Sequence, residues 1–104
     1  MRVELSVKGV DVESIFKDYV QRRMHFALSR FGSDLKRVVV QLANTGGPEG
    51  TPQNRCQVSM RLLRGESLSV VATHGDLFVA IDRAVERASQ SVRRRLLNSR
   101  CLAG

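Results

Sequence analysis

Residues 55–73, RCQVSMRLLRGESLSVVAT, contain two short runs in which apolar and polar side chains alternate. The first run covers residues 55–64, and the second covers residues 67–73. A period of two is typical of a half-buried β-strand, whose successive side chains point to opposite faces. The intervening Arg-Gly-Glu at residues 64–66 favours a tight hairpin turn. This stretch therefore predicts two antiparallel strands that share one apolar face.

A long helix is predicted directly after this hairpin. Asp76 can cap its first turn, because a carboxylate accepts hydrogen bonds from the unpaired N–H groups of a helix start. The apolar residues that follow recur at the spacing of one helix face. They are Leu77, Ile81, Ala84, Val85, Ala88, Val92 and Leu96. Residues 98–104 are expected to form a short, basic and frayed tail.

Upstream of the hairpin, residues 2–7 and 35–43 predict two further strands. Apolar residues between them recur at steps of four, four, three and four, which predicts a helix of about five turns. This stripe consists of Phe16, Val20, Met24, Ala27 and Phe31. Asp11 is the expected N-cap, and Gly32 is expected to end the helix in the left-handed conformation. Residues 44–53 contain three glycines and two prolines and are predicted to be a loop.

The predicted order is β-α-β-β-β-α, which indicates the α+β class. Each strand has one apolar face and each helix has one apolar stripe. The simplest way to bury all of them is a four-stranded, mostly antiparallel sheet with two helices packed on one face. Residues 1–97 are expected to form a single domain, since the 104-residue chain shows no internal repeat.

The charge composition suggests a polyanionic partner. The chain has a formal net charge of +7, from 17 Lys and Arg against 10 Asp and Glu. Most of these cations are arginine, whose planar guanidinium binds phosphate through two parallel hydrogen bonds and stacks on bases. This composition favours a nucleic acid over a neutral or cationic partner.

The predicted helices also segregate their charges. On the second helix, winding at 100° per residue places one set of polar side chains within about 60° of each other. This set is Arg83, Arg87, Gln90 and Arg94. Asp82 and Glu86 fall on the opposite flank, where Arg93 is the accompanying cation.

On the first helix, aromatic and basic side chains are interleaved. The aromatic ones are Tyr19 and Phe26, and the basic ones are Lys17, Arg22, Arg23 and Arg30. Aromatic rings among arginines can stack bases, but they can equally cover a sheet edge or a neighbouring helix. If the helices pack side by side, the basic edges of both are expected to form one groove.

The sequence offers little for catalysis. His25 and His74 lie far apart, and with Cys56 and Cys101 they show no metal-ligand spacing. His74 is interpreted as a residue that hydrogen-bonds the backbone of a turn. No membrane span, signal peptide, metal, cofactor or small-molecule substrate is expected, and the protein is expected to be cytoplasmic and not an enzyme.

Residues 76–87, DLFVAIDRAVER, resemble the signature of the ribosome hibernation promoting factor and ribosome-associated inhibitor family. The resemblance extends over about residues 2–97. It implies a fold similar to double-stranded-RNA-binding domains and a non-enzymatic regulator of translation. Members of that family occupy the cleft of the small ribosomal subunit where messenger and transfer RNA lie. The implied partners are the small subunit and its ribosomal RNA.

The resemblance also implies roles for individual residues. By position, Lys17 and Arg23 take the RNA-binding roles of the first helix. The corresponding second-helix residues are Arg87, Arg93 and Arg94. The chain departs from the family pattern at Phe26, Leu28, Gln90 and Arg95. Apolar residues at positions 26 and 28, together with Ile15 and Tyr19, leave open an alternative, a protein–protein interaction module or homodimer on the same fold.

Overall fold

The computed structural model describes residues 2–8, 14–44 and 53–103, and the side chains of residues 3–6, 15–44 and 53–97. The elements follow the predicted order. They are β1 (Arg2–Lys8), α1 (Ser14–Leu28), a 3₁₀ turn (Ser29–Phe31), β2 (Leu35–Asn44), β3 (Asn54–Leu62), β4 (Ser67–His74) and α2 (Leu77–Ala103). The predicted N-cap at Asp11 and most of the predicted glycine-rich loop lie outside the described residues.

The four strands form one sheet in the order β1-β2-β3-β4. β2 pairs antiparallel with β3, and β3 pairs antiparallel with β4. β1 runs parallel to β2, because the chain crosses from one to the other through α1. The sheet is therefore mixed, and the prediction of a mostly antiparallel sheet is confirmed. The strands at the two edges are β1 and β4.

The predicted hairpin turn joins β3 to β4. The Leu62 N–H donates to the Glu66 carbonyl over 2.8 Å, and the Gly65 N–H donates to the Leu62 carbonyl over 2.9 Å. Gly65 has a φ of 101°, a conformation that costs glycine little and other residues much more. The carboxylate of Glu66 braces the turn, since it accepts contacts from Arg64 and from Arg95 of α2.

Both helices pack on one face of the sheet, as predicted. The core between the layers is apolar, and the described residues include no buried charged or polar side chain in it. Its largest members are Met24, Leu28, Leu35, Leu42, Met60, Leu62 and Ile81. Alternate residues of β2, β3 and β4 supply the sheet side of this core, which accounts for the period of two in the sequence.

The sequence predicted the start of α2 correctly and the end of α1 incorrectly. Asp76 caps α2 as expected, because its carboxylate accepts a hydrogen bond of 2.9 Å from the Phe78 N–H. Gly32 was predicted to be left-handed, and this is wrong. Its φ and ψ are −56° and −35°, because α1 ends at Leu28 and continues as a 3₁₀ turn whose Ser29 carbonyl accepts the Gly32 N–H.

Near the end of α1, the residues that face the core differ from those of the predicted apolar stripe. Leu28, interpreted as extra surface, is fully buried, whereas Ala27 and Phe31 are only half-buried. Successive steps of four residues turn a helix face by 40°, so Leu28 continues the line of Val20 and Met24 into the core. The surface assignment of Leu28 is therefore wrong. The boundary predicted at residue 97 stays a prediction, and the helix itself continues to Ala103.

Candidate nucleic-acid interface

One basic surface follows the side of α2 next to the edge strand β4. Arg83, Arg87 and Arg94 share this side of the helix and are exposed. Arg87 donates through its guanidinium to the Val71 carbonyl of β4. That contact satisfies an acceptor on a free sheet edge, which would otherwise be available for pairing with another chain. We call Arg83, Arg87 and Arg94 the α2 edge.

The α2 edge retains unpaired positive charge. Neither Arg83 nor Arg94 makes an ion pair in the part of the chain that the structure describes. The neighbouring Arg95 differs, since it binds Glu66 at 3.0 Å and braces the β3–β4 turn. Position on the helix therefore separates arginines that hold the fold together from arginines that face solvent.

A second group of residues joins the two helices near their starts. The rings of Phe16 and Phe78 lie 4.6 Å apart, centroid to centroid. Tyr19 meets the same Phe78 ring edge-on, at 4.9 Å and 87°. Such tilted and T-shaped pairs are the favoured arrangements of aromatic rings. Tyr19 thus covers the neighbouring helix, which is one of the two roles that the sequence left open for it.

Asp82 of α2 is the polar centre of this helix–helix contact. The Tyr19 hydroxyl donates to Asp82 Oδ1 over 2.5 Å, and Arg23 Nε lies 3.2 Å from the same oxygen. The hydrogen bond to Asp82, with desolvation and the carboxylate's charge, raises the pKa of Tyr19, while Arg23 opposes the shift. Arg23 Nε is buried without a well-aligned hydrogen bond, so its contact with Asp82 is mainly electrostatic.

These contacts separate the two basic edges that the sequence joined in one groove. Asp82, next to α1, and Arg87, next to β4, lie about 140° apart around α2. Arg23 therefore lies between the helices, whereas the α2 edge faces away from α1. The prediction of a single shared groove is wrong in this respect. The angles between residues within one helix do not determine which side of that helix packs against its neighbour.

The remaining candidates of α1 and of the 3₁₀ turn also lie on different surfaces. Lys17 and Arg22 are exposed and lie about 140° apart around the helix. Phe26 is 80% exposed and makes no ring contact among the described residues. Arg30 lies over the Phe31 ring, 5.8 Å from its centroid.

Two of the predicted cations do come together at the far end of the helix pair. Arg30 and Arg93 line a cleft of about 360 Å³ between the 3₁₀ turn and α2. The lining also includes Asp34 and three apolar side chains, Phe31, Leu96 and Leu97. The cleft is therefore less uniformly basic than the α2 edge.

Sequence reasoning did not single out three cations on the face of the sheet that no helix covers. Lys36, Arg37 and Arg61 line an open groove of about 410 Å³ there. The alternation of β3 did place Arg61 on the polar side of its strand. The signal that would have found the group is strand register, which pairs Arg37 with Arg61 and which a single sequence does not reveal.

Two of the histidine and cysteine side chains that the structure describes have local structural surroundings. His74 Nδ1 accepts a hydrogen bond of 2.9 Å from the Asp76 N–H, so its predicted contact with the backbone is confirmed. Cys56 is completely buried, and burial raises the pKa of its thiol to about 12. Within the described ranges, no three His, Cys, Asp or Glu residues are grouped closely enough to hold a metal ion.

In the described segments, neither α1 nor α2 combines the length with the apolar character needed to cross a bilayer. The predicted absence of a cofactor and of a small-molecule substrate stays a prediction.

Comparison with known proteins finds one matching family model and several structures of similar fold. The family model described as "Sigma 54 modulation protein / S30EA ribosomal protein" matches residues 3–96. A ribosomal subunit interface protein from Coxiella burnetii has a similar structure, with a TM-score of 0.80 and 10% identity, over 93% of this chain and 99% of that one. The Protein Y N-terminal domain from Thermus thermophilus gives 0.72 and 25%, over 90% and 98%. No curated protein sequence matches the chain.

Proposed function

This chain belongs to the Sigma 54 modulation protein / S30EA ribosomal protein family, and on that premise we propose that it is a ribosome-associated regulator of translation. Its action is stoichiometric binding and not catalysis. In this proposal it acts in the cytoplasm, occupies the messenger and transfer RNA cleft of the small subunit, and inhibits translation or stabilises idle ribosomes. One observation carries the proposal: the family model matches nearly the whole chain, residues 3–96.

The charge distribution supports an RNA partner. The α2 edge is exposed, and the chain from residue 87 onward contains five arginines and no acid. Arginine side chains that face solvent without a carboxylate partner can bind phosphate without first breaking an ion pair. Arg83 and Arg94 are in this state, and Arg87 keeps further donors beyond the one that it gives to Val71.

Arg23 contributes differently in this proposal. Its guanidinium already lies beside Asp82, so a phosphate has to share the side chain with that carboxylate. Arg22 of α1 and Arg30 of the 3₁₀ turn, which are exposed, are the freer cations of this part of the chain. We therefore rank the α2 edge first among the RNA-binding candidates and Arg23 behind it, with Lys17 and Arg93 as peripheral contacts.

Co-sedimentation with purified small ribosomal subunits tests the proposal. The wild-type protein should pellet at about one copy per subunit in low salt. If about five phosphates are neutralised, affinity should fall on the order of a hundredfold between 50 and 200 mM salt. The double variant Arg83→Gln, Arg94→Gln should bind more weakly and with a flatter salt dependence. The slope of log affinity against log salt concentration should decrease by roughly one per lost contact at most.

A matched control removes the same number of charges elsewhere. Arg64→Gln with Arg95→Gln lowers the net charge equally but affects the cations that brace the β3–β4 turn. This control should retain most of the affinity. If the two double variants bind alike, the α2 edge is not the contact surface. If the wild-type protein does not pellet even in low salt, the proposal of a ribosome partner fails.

One observation favours a second candidate function, a protein–protein interface on the outer side of α1. Phe26 is 80% exposed and Ile15 is 59% exposed, and helical geometry places them within about 20° of each other. Exposed apolar side chains on one helix face are typical of contact surfaces. Leu28 and Tyr19, which the sequence assigned to this surface, contribute little, since Leu28 is buried and Tyr19 faces Phe78.

Sedimentation velocity distinguishes this candidate from the first. Self-association that is insensitive to salt and lost in Phe26→Glu would support the interface. The control is Arg22→Glu, which changes charge on the same exposed side of α1 without removing apolar surface. A wild-type protein that stays monomeric at high concentration contradicts the homodimer.

A further inference from the structure

We call the face of the sheet that no helix covers the open face. On β2, β3 and β4 this face carries only positive charge. These three strands contain no Asp or Glu, and their Lys and Arg residues are Lys36, Arg37, Arg55 and Arg61. The other outward-facing residues of these strands are small or uncharged and include no aromatic ring. One acid from the neighbouring strand, Glu4 of β1, reaches this surface and binds Arg37 at 2.5 Å.

Three of these cations surround one groove. The groove has a volume of about 410 Å³, and Lys36, Arg37 and Arg61 line it together with the hydroxyl-bearing residues Ser59, Ser67 and Ser69. Three apolar residues complete the lining: Val39, Met60 and Leu68. Among the described side chains, none of those that line it is acidic. Hydroxyl and guanidinium groups are both good donors to phosphate oxygens. The chemistry of the lining therefore fits an anion with several acceptor oxygens.

The strand register makes this arrangement costly for the folded protein. Arg37 of β2 and Arg61 of β3 are directly opposite each other in the antiparallel pair. Like charges at such positions destabilise a sheet, because the Cβ atoms are only about 5 Å apart. Glu4 compensates Arg37, whereas Arg61 makes no ion pair among the described residues. A charge that destabilises the fold and has no compensating partner within it is characteristic of a functional position.

We propose that this groove binds the phosphate backbone of a second RNA segment, on the side of the molecule opposite the helices. The inference rests on the proposed ribosome-binding function and assigns it a further contact surface. Arg61 and Lys36, which make no ion pair among the described residues, hold one phosphate. Arg37, which also binds Glu4, and the serine hydroxyls bind its neighbours. Without an aromatic ring on this face, bases are not stacked, so binding here is independent of RNA sequence.

A single substitution separates binding from stability. Arg61→Glu replaces the pair of like charges with an oppositely charged pair, so the midpoint of thermal unfolding should rise by roughly 1–5 °C. The same variant should bind RNA more weakly, because the groove loses a phosphate ligand and gains a repelling carboxylate. The matched control is Arg55→Glu, which lies on the same strand and face but outside the groove, opposite Ala43 and Thr73.

Affinity is measured in two ways, by co-sedimentation with small ribosomal subunits and by fluorescence anisotropy with a labelled single-stranded 12-mer of oligouridylate. We expect Arg61→Glu to lose at least fivefold more affinity than Arg55→Glu in both measurements. Lys36→Gln, which leaves Arg37 and Arg61 in place, should also weaken binding and should reduce the salt slope by about 0.7–0.9. This second variant shows that the loss does not arise from the altered charge pair alone.

The outcomes separate this inference from the proposed function. If the wild-type protein binds subunits and Arg61→Glu binds as Arg55→Glu does, the sheet site is wrong and the ribosome proposal stands. If the wild-type protein fails to pellet with subunits but binds oligouridylate through Lys36 and Arg61, the sheet site stands and the ribosome proposal is wrong. A lower unfolding midpoint in Arg61→Glu overturns the argument from charge repulsion.

Discussion

The two faces of the sheet are built from alternate residues of the same strands, yet they differ in almost every physical property. On β3, Cys56, Val58 and Met60 are buried under the helices, while Gln57 and Ser59 between them face outward. The covered face is apolar and buried. The open face carries hydroxyl, amide and guanidinium groups.

This difference shows how one set of strands serves both stability and recognition. The covered face contributes the burial of apolar surface, which is the dominant favourable term in folding. The open face contributes little to that term, so its side chains are free to vary in charge. Arg37 and Arg61 show the limit of this freedom, because a pair of like charges still has a cost, which water reduces but does not remove.

The largest expected effect compares neighbouring residues of β2. Leu42→Ala should lower the free energy of unfolding by about 2–5 kcal/mol, because Leu42 is completely buried and its truncation leaves a cavity. Gln41→Ala, one residue earlier on the open face, should change it by about 0.5 kcal/mol or less. Urea denaturation measures both. Equal losses would contradict the division of the sheet into a packing face and a solvent face.

The next effect concerns the buried thiol. The pKa of Cys56 is raised by burial from 9.0 to about 12, so the unfolded thiol ionises at a lower pH than the folded one. Unfolding therefore releases a proton between these values, and the stability contributed below pH 9 is progressively lost as pH rises. The expected slope is up to about 1.4 kcal/mol per pH unit. Denaturation from pH 8.5 to 10.5 measures it, and Cys56→Ala should show a shallower slope.

A thiol placed on the opposite face sharpens the same comparison. Gln57→Cys introduces a thiol one residue away on the open side of β3. In a background with Cys56→Ala and Cys101→Ser it should react with a thiol reagent at the rate of an accessible cysteine. Cys56 itself, in a Cys101→Ser background, should react only as fast as the protein unfolds. Similar labelling rates at the two positions would show that the helices do not cover β3 as described.

The smallest expected effect lies at the outer rim of the helix layer. Tyr19→Phe removes the hydrogen bond to Asp82 but keeps the ring against Phe78. The loss should be roughly 0.5–1.5 kcal/mol, since the Asp82 side chain is 44% exposed and solvent screens the contact. Chemical denaturation measures it. A loss as large as that of Leu42→Ala would mean that polar contacts stabilise the fold as strongly as the core does.

Much of the fold was predictable because local patterns report burial directly. The period of two in residues 55–73 identified β3, β4 and their turn, and the steps of three and four identified both helices. Asp76 and His74 were assigned correctly, because their contacts are with residues two positions away. Leu28 was assigned wrongly, because its burial depends on how α1 turns against the sheet and not on its immediate neighbours.

The candidate site was predictable only in part, for the same reason. Helical winding correctly grouped Arg83, Arg87 and Arg94 on one side of α2. It did not say that this side borders β4, where Arg87 binds Val71, nor that Arg23 pairs with Asp82. Those contacts join residues 16 and 59 positions apart, and their geometry is set by the packing of elements.

The sequence by itself determined the class of the fold, the order of its elements and the basic character of its surface. Hydrophobic periodicity and net charge are local or summed properties, so they do not depend on how the elements meet. The tertiary structure decided which cations share a surface. Strand register placed Arg61 opposite Arg37, and helix rotation turned the α2 edge away from α1. Both depend on packing between distant segments, because only burial of the common core fixes their relative positions.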